Sequence, residues 1–247
     1  IWSVPNNEDP AIVSKWLGRE VGWWWNYPCN DNDMDKLFVS DMYANFHDEK
    51  HIDNDAKVTD SLGVKTLISN PMQQGAASKI ALFSIGDYAW NNAAFDVRKS
   101  FEAAVPAVVG KQYAEAYLTV CPYLRHYDYD SPWPTLEQMR KLVAACKKLG
   151  ELAKSDNKGA RLFYDDIEPW LTKVNDMADC AIILLTKDSQ TKEAVSRAVE
   201  NVEKMDTDKK YDVEILNGMG KDIKIGSTQA KPAERVLLPM LKKLAGK

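Results

Sequence analysis

The hydrophobic and polar positions of the chain change rhythm at about Pro71. Before it, short apolar runs are separated by turns and loops. Glu8-Asp9-Pro10 predicts a helix start, with acids at the positive end of the helix dipole and proline in the first turn. Ala11–Leu17 carries that helix on to Gly18. Gly22-Trp23-Trp24-Trp25-Asn26-Tyr27 is an aromatic run of strand character stopped by Pro28, and an acid-rich loop extends from Asn30 to Asp60. Gly63–Asn70 predicts a second strand, stopped by Pro71. This alternation is the rhythm of an α/β barrel or a doubly wound sheet. Two or three strands neither close a barrel nor cover both faces of a parallel sheet, so the expected region is the tail of such a domain.

After Pro71 the period is helical, and the expectation is that it stays so to the end of the chain. Ala76–Asn91 is apolar on more than one side. Asp96 caps a helix over Val97–Val109, Gly110 separates it from Gln112–Tyr123, and Thr135 with Gln138 forms a capping box opening Leu136–Ala153. Further amphipathic helices are predicted at about Pro169–Thr186, Lys192–Met205 and Pro232–Leu244, with Tyr129–Pro134 as the irregular link. The expected fold class is therefore α/β then all-α. C-terminal strands and helices of a (β/α)8 barrel fill residues 1–95, and an antiparallel helical bundle fills residues 96–247.

Composition narrows the function. The 247 residues carry 32 Lys+Arg against 36 Asp+Glu, a formal charge of −4, with no like-charged block of the kind that binds nucleic acid. No apolar run approaches the ~18–20 residues of a membrane span. The four cysteines, Cys29, Cys121, Cys146 and Cys180, stand 25 or more residues apart, so they read as buried free thiols and not as a metal or redox pair. Five of the eight tryptophans fall in the first 25 residues, an asymmetry that points to the strand region for chemistry.

Several motifs invite a catalytic or metal reading and lose it on inspection. Asp165-Asp166 could split into acid and base, yet the pair precedes Ile167-Glu168-Pro169, where helix capping accounts for it. His47 and His51 have i, i+4 spacing, but Asp48 stands where a metalloprotease needs Glu. Asp31, Asp33 and Asp35 begin like a calcium loop that then offers Lys36 and Met42 in place of Gly and Glu. Gly218-Met219-Gly220 lacks a third glycine and a preceding strand, so it reads as a turn. Trp24 and Asn26, with Asp31 just beyond, are better candidates. Strand alternation puts Trp24 and Asn26 on one face, and an aromatic ring beside amide and carboxylate groups suits a sugar. Composition alone favours a structural tryptophan. Asn70 ends the next strand before Pro71, as a common strand stop does.

Trp24-Trp25-Asn26-Tyr27-Pro28-Cys29-Asn30-Asp31, then Ile68-Ser69-Asn70-Pro71-Met72-Gln73, then Ala77 through Asn91 resemble glycoside hydrolase family 84, the β-N-acetylglucosaminidases that include bacterial O-GlcNAcases and are often labelled hyaluronidases. Ile167-Glu168-Pro169-Trp170 and Ala233–Leu241 resemble the family's helical domain. The resemblance implies that Trp24 lines the pocket wall, that Asn26 and Asp31 hold hydroxyls of a terminal GlcNAc, and that Asn70 ends the last barrel strand. Ser3 stands, in a looser alignment, against a threonine ending the sixth strand. The resemblance also implies cleavage without metal or organic cofactor, in which one Asp orients the substrate's acetamido group as nucleophile and an adjacent Asp is the acid and base. That pair belongs to the fourth barrel strand and the chain aligns from about the sixth, so no catalytic residue is assigned and the chain alone is expected to be inactive. The expected partners are a GlcNAc-containing glycan or glycoprotein and either an N-terminal barrel chain or a second copy, with no nucleic acid and no membrane span. The rival reading is a helical interaction or dimerisation module with a relic sugar-binding wall.

Overall fold

The computed structural model describes residues 10–28, 60, 65–71, 74–124, 132–217, 223–233 and 236–246. Helix α1 (Pro10–Leu17) starts at the expected proline and ends at Gly18, whose φ of 63° is the left-handed turn that glycine adopts freely after a helix. Strands β1 (Trp23–Pro28) and β2 (Leu67–Asn70) pair in parallel. Helix α2 (Lys79–Trp90) is next, then α3 (Val97–Val109) and α4 (Lys111–Leu124). Helices α5 (Leu136–Gly150), α6 (Lys158–Leu185) and α7 (Lys192–Lys204) continue the chain. An antiparallel hairpin of β3 (Asp212–Asn217) and β4 (Lys224–Gln229) succeeds them, and α8 (Leu237–Leu244) comes last.

Local signals placed most helix ends. The Asp96 side chain accepts from the Lys99 amide, and the Thr135–Gln138 capping box forms with both its hydrogen bonds, Thr135 N–H to Gln138 Oε1 at 2.8 Å and Gln138 N–H to Thr135 Oγ1 at 3.3 Å. The centre of the assembly is α6, which packs against α3, α4, α5, α7 and α8. Its side chains at Phe163, Ile167, Trp170, Val174, Met177, Ala181 and Leu184 recur every three or four residues and are all buried. The hydrophobic core is continuous from Ala77 to Leu241, so α2 and α3 share it.

Three expectations are corrected. The helical period does not run to the end of the chain, because residues 212–229 form the β3–β4 hairpin with Asp212 opposite Gln229 and Asn217 opposite Lys224. Val213 and Ile215 are buried with Glu214 exposed between them, a period of two. The partner strand buries no alternating set and so carries no pattern of its own. A strand thus does precede Gly218, although residues 218–220 lie outside the described residues. Secondly, the helix expected at Pro169 begins at Lys158. Asn157 caps it through Oδ1, which accepts from Gly159 and Ala160, and Pro169 lies inside it. An interior proline removes one helical hydrogen bond and costs about 3 kcal/mol, which the buried stripe on either side of it offsets. Finally, α8 begins at Leu237 and not at Pro232, because Ala233 takes φ 48°, a conformation no continuing helix contains.

Candidate functional site

The strand pair sets out the first group of candidates. In the parallel register Trp24 lies opposite Ile68, Trp25 opposite Ser69 and Pro28 opposite Asn70. Three steps along β1 thus match one along β2, and the irregularity falls between Trp25 and Pro28. Parallel pairing puts the carboxyl ends of both strands on one side, so Asn26 and Asn70 are brought to the same end of the sheet. The irregularity corrects one step of the sequence argument. Alternation places Trp24 and Asn26 on one face only along a regular strand, and the two extra residues of β1 between Trp25 and Pro28 interrupt that regularity. Trp24 and Asn70 are both half-buried. Asp31 and Ser3 lie outside the described residues, as do His47, His51, Asp33 and Asp35.

The segment after Asn70 turns through Gln74 to Ser78 into α2, and a side chain from the far helix α6 holds that turn. Asp166 Oδ2 accepts the backbone N–H of Ala76 at 2.8 Å and of Ala77 at 3.0 Å. Asp166 is therefore a helix cap, but for α2 and not for its own helix, which corrects the expectation that Asp165-Asp166 caps the helix it precedes. Burial pushes its carboxyl above the ordinary range. The two amides and the charge of Lys79 pull it down, and the charge of Asp165 pushes it further up. A carboxylate engaged by two amides is a clasp between α6 and the β2–α2 turn, not a free acid or base.

Beside that clasp is a cleft of about 350 Å³, lined by Gln74, by Asp165, Asp166 and Pro169 of α6, and by Asp212, Val213, Glu214 and Ile215 of β3. Gln74 is 6% exposed, and its Oε1 has no hydrogen-bond partner among the described residues. Sequence reasoning missed Gln74, since Gln73-Gln74-Gly75 between strand and helix carries no signal separating it from an ordinary turn.

It also missed Lys173, which is 0% exposed. Its Nζ donates to the Ala230 carbonyl at 2.9 Å, approaches Asp206 at 3.5 Å and lies 5.5 Å from the centre of the Tyr211 ring. Tyr211 in turn donates to Asp176 at 2.9 Å, and its hydroxyl is held neutral by burial and by the charge of Asp176. This network pins the hairpin to α6. A signal for Lys173 was available, since it sits within the apolar stripe between Trp170 and Met177.

Cys121, Cys146 and Cys180 are buried, as expected, with Cys146 and Cys180 as free thiols, and Cys29 lies outside the described residues. Burial first, then the charges of Asp179 and Asp176, push the Cys146 thiol up to about 12, and burial with the same two charges pushes Cys180 to about 11, so neither offers a thiolate at neutral pH. Among the described residues no three acidic, histidine or cysteine side chains are placed to hold a metal ion. Among them, too, no helix is long and apolar enough to cross a membrane.

Comparison with known proteins bears out the resemblance read from the sequence. Residues 3–121 match the family model described as beta-N-acetylglucosaminidase. The solved structure of CpGH84D superposes with a TM-score of 0.59 at 20% identity, covering 96% of this chain and 41% of that one. A mutant of the Thermobaculum terrenum O-GlcNAc hydrolase gives 0.55 at 17%, covering 96% of this chain and 50% of the other. At these identities the likeness is one of fold, and the chain spans half or less of the length of either protein.

Proposed function

We propose that this chain, of the glycoside hydrolase family 84 type, forms part of the sugar pocket of a retaining, substrate-assisted β-N-acetylglucosaminidase that removes terminal β-linked GlcNAc from glycans or glycoproteins. Residues 1–95 are then the last segments of the (β/α)8 barrel and residues 96–247 the helical bundle. Trp24 stacks on the apolar face of the sugar, Asn26 and Asp31 bind its hydroxyls, and Asn70 completes the wall from the neighbouring strand. The observation that carries this reading is the parallel pairing that puts Asn26 and Asn70 at one carboxyl end, the end at which barrel enzymes bind their ligands.

In this reading the acetamido oxygen of the substrate is the nucleophile, and an aspartate pair orients it and transfers the proton. Neither aspartate is assigned to a residue of this chain. Asp165-Asp166 is not that pair, since Asp166 is committed to the amides of Ala76 and Ala77. The barrel strands carrying the pair are supplied by the rest of the enzyme, as a companion chain or as one polypeptide.

The test is GlcNAc affinity in the whole enzyme. Asn70→Ala removes hydrogen bonds to a buried ligand and is expected to weaken binding by about tenfold. Unchanged affinity in Asn70→Ala and in Trp24→Ala together would remove the assignment. One observation favours the rival interaction module. Trp90, at the end of α2, is 92% exposed, and Ile12, Trp16 and Leu17 of α1 are also exposed. A stable homodimer that binds no GlcNAc would support it.

A further inference from the structure

We infer, resting on the assignment of Asn70 to the sugar pocket, that Asp166 is a positioning residue for that pocket: through the β2–α2 turn it fixes the carboxyl end of β2, and with it Asn70, from the helical bundle.

The turn depends on Asp166 for two of its hydrogen bonds. Within residues 74–78 the Gln74 carbonyl accepts from the Ser78 amide at 3.0 Å and from the Ser78 hydroxyl at 2.9 Å. The Ala76 and Ala77 amides find their acceptor outside the turn, at Asp166 Oδ2. Gln74, Ala77 and Ser78 are buried, so water is a poor substitute when that acceptor is lost. The acceptor itself is firmly held. Asp166 stands on α6 between Phe163 and Ile167, both fully buried, with the buried Trp170 one turn further on. A side chain on a well-packed helix holds its partner more precisely than one on a loop.

The hold on the turn reaches β2 by two routes. Three residues of chain separate Asn70 from Gln74. Helix α2 also packs directly on β2, and Leu67 of the strand lies against the core that α2 shares. At its far end α2 is tied again, since Tyr88 Oη and Asn92 Nδ2 donate to Asp60 Oδ1 at 2.9 and 2.6 Å. With that end fixed, losing Asp166 frees the end nearer Asn70. Pairing with β1 does not make up the loss. The ladder runs in register from Trp23 to Trp25 against Leu67 to Ser69 and breaks before Asn70, so it defines the front of β2 better than its carboxyl end. Hydrogen bonds weaken steeply with distance and angle, so a small shift of Asn70 loses its contact with the sugar.

The experiment measures GlcNAc inhibition constants, KM, kcat and thermal melts of the whole enzyme in a cycle of Asp166→Ala, Asn70→Ala and the double variant, with Asp166→Asn beside it. Asp166→Ala should weaken GlcNAc by about fivefold and raise KM equally with kcat within about twofold, because binding is lost alike from the ground and transition states. A merely structural loss lowers kcat through the active fraction and leaves KM alone. Asp166→Asn keeps an oxygen for the amides and should recover most of the affinity. The double variant should bind GlcNAc as Asn70→Ala does, within about twofold, since Asp166 has nothing left to position. An unchanged KM in Asp166→Ala, or effects that multiply in the double variant, would overturn the positioning role alone. Asn70→Ala binding GlcNAc as tightly as the unmodified enzyme would overturn the sugar assignment and the positioning role together.

Discussion

Along β2 every residue from Leu67 to Asn70 is only half-buried, whereas α6 sinks twelve side chains into the core. The strand pair brings aromatic and amide residues to a thin sheet. The helices offer an apolar interior with capped ends. In the proposed reading, residue choice in the strand pair is set by the ligand that the end of the sheet would bind. In the helical part it is set by the water that the interior must exclude. Away from the Asp166 clasp, stability and ligand binding should therefore separate cleanly by region when the molecule is mutated.

The most forceful way to break that division is Phe163→Ala. Phe163 is fully buried, edge-on to Tyr117 with ring centres 5.6 Å apart, and its loss should cost about 3–5 kcal/mol of unfolding free energy. Trp24→Ala should leave the same transition within about 1 kcal/mol while removing sugar affinity. Denaturant melts of both variants decide the matter. Comparable losses would mean that the strand pair and the bundle unfold as one unit and that the division is only geometric.

Lys173→Ala sharpens the comparison inside the helical part. It leaves the Ala230 carbonyl without its donor and opens a hole beneath the hairpin, so a loss of about 1–3 kcal/mol is expected. Faster exchange of β3 amides than of α5 amides in the variant would locate that loss at the hairpin.

The smallest effect is a pH dependence at the clasp. The Asp166 carboxyl titrates higher in the folded protein than the ordinary 3.8 of an aspartate, so the folded state binds more protons than the unfolded state just above that value. The linkage slope is then negative: the contribution of Asp166 is greatest below its unfolded titration and declines as pH rises through its raised folded range. Asp166→Asn has no such contribution. Its stability difference from the unmodified chain should therefore be larger near pH 3 than near pH 7, read by thermal melts at matched ionic strength. A difference growing towards neutral pH would show that the two amides outweigh burial.

The legibility of the sequence divides along the same regional line. Asp96, Thr135 with Gln138, and Gly18 act within a few residues of themselves: the first two open helices and Gly18 closes one, each where its local chemistry predicted. The hairpin was hidden because β4, with Gly226, Ser227 and Thr228, shows no alternation and gains its place by pairing with β3. The start of α6 was misplaced because Pro169 looks like a beginning when it stands amid acids, and only the packing of Phe163 and Ile167 reveals the turns before it. The sugar-wall candidates were legible as a set of residue types. Their arrangement was not, since the register irregularity after Trp25 depends on a strand forty residues further on. Gln74 and Asp166 were illegible as partners in one cleft because nothing local to either points to the other.

The clasp of Asp166 on Ala76 and Ala77 also has a meaning in time. It joins positions ninety apart, whereas a hydrogen bond inside a helix joins positions four apart. Loop-closure entropy grows with the logarithm of separation, so the long closure costs about 3 kcal/mol more than the short one unless the intervening chain has already condensed. The first turn of α2 is thus ordered late, after α3 to α6 have brought their ends together. The turn from Gln74 to Ser78 takes its final shape only when the helices behind it are finished.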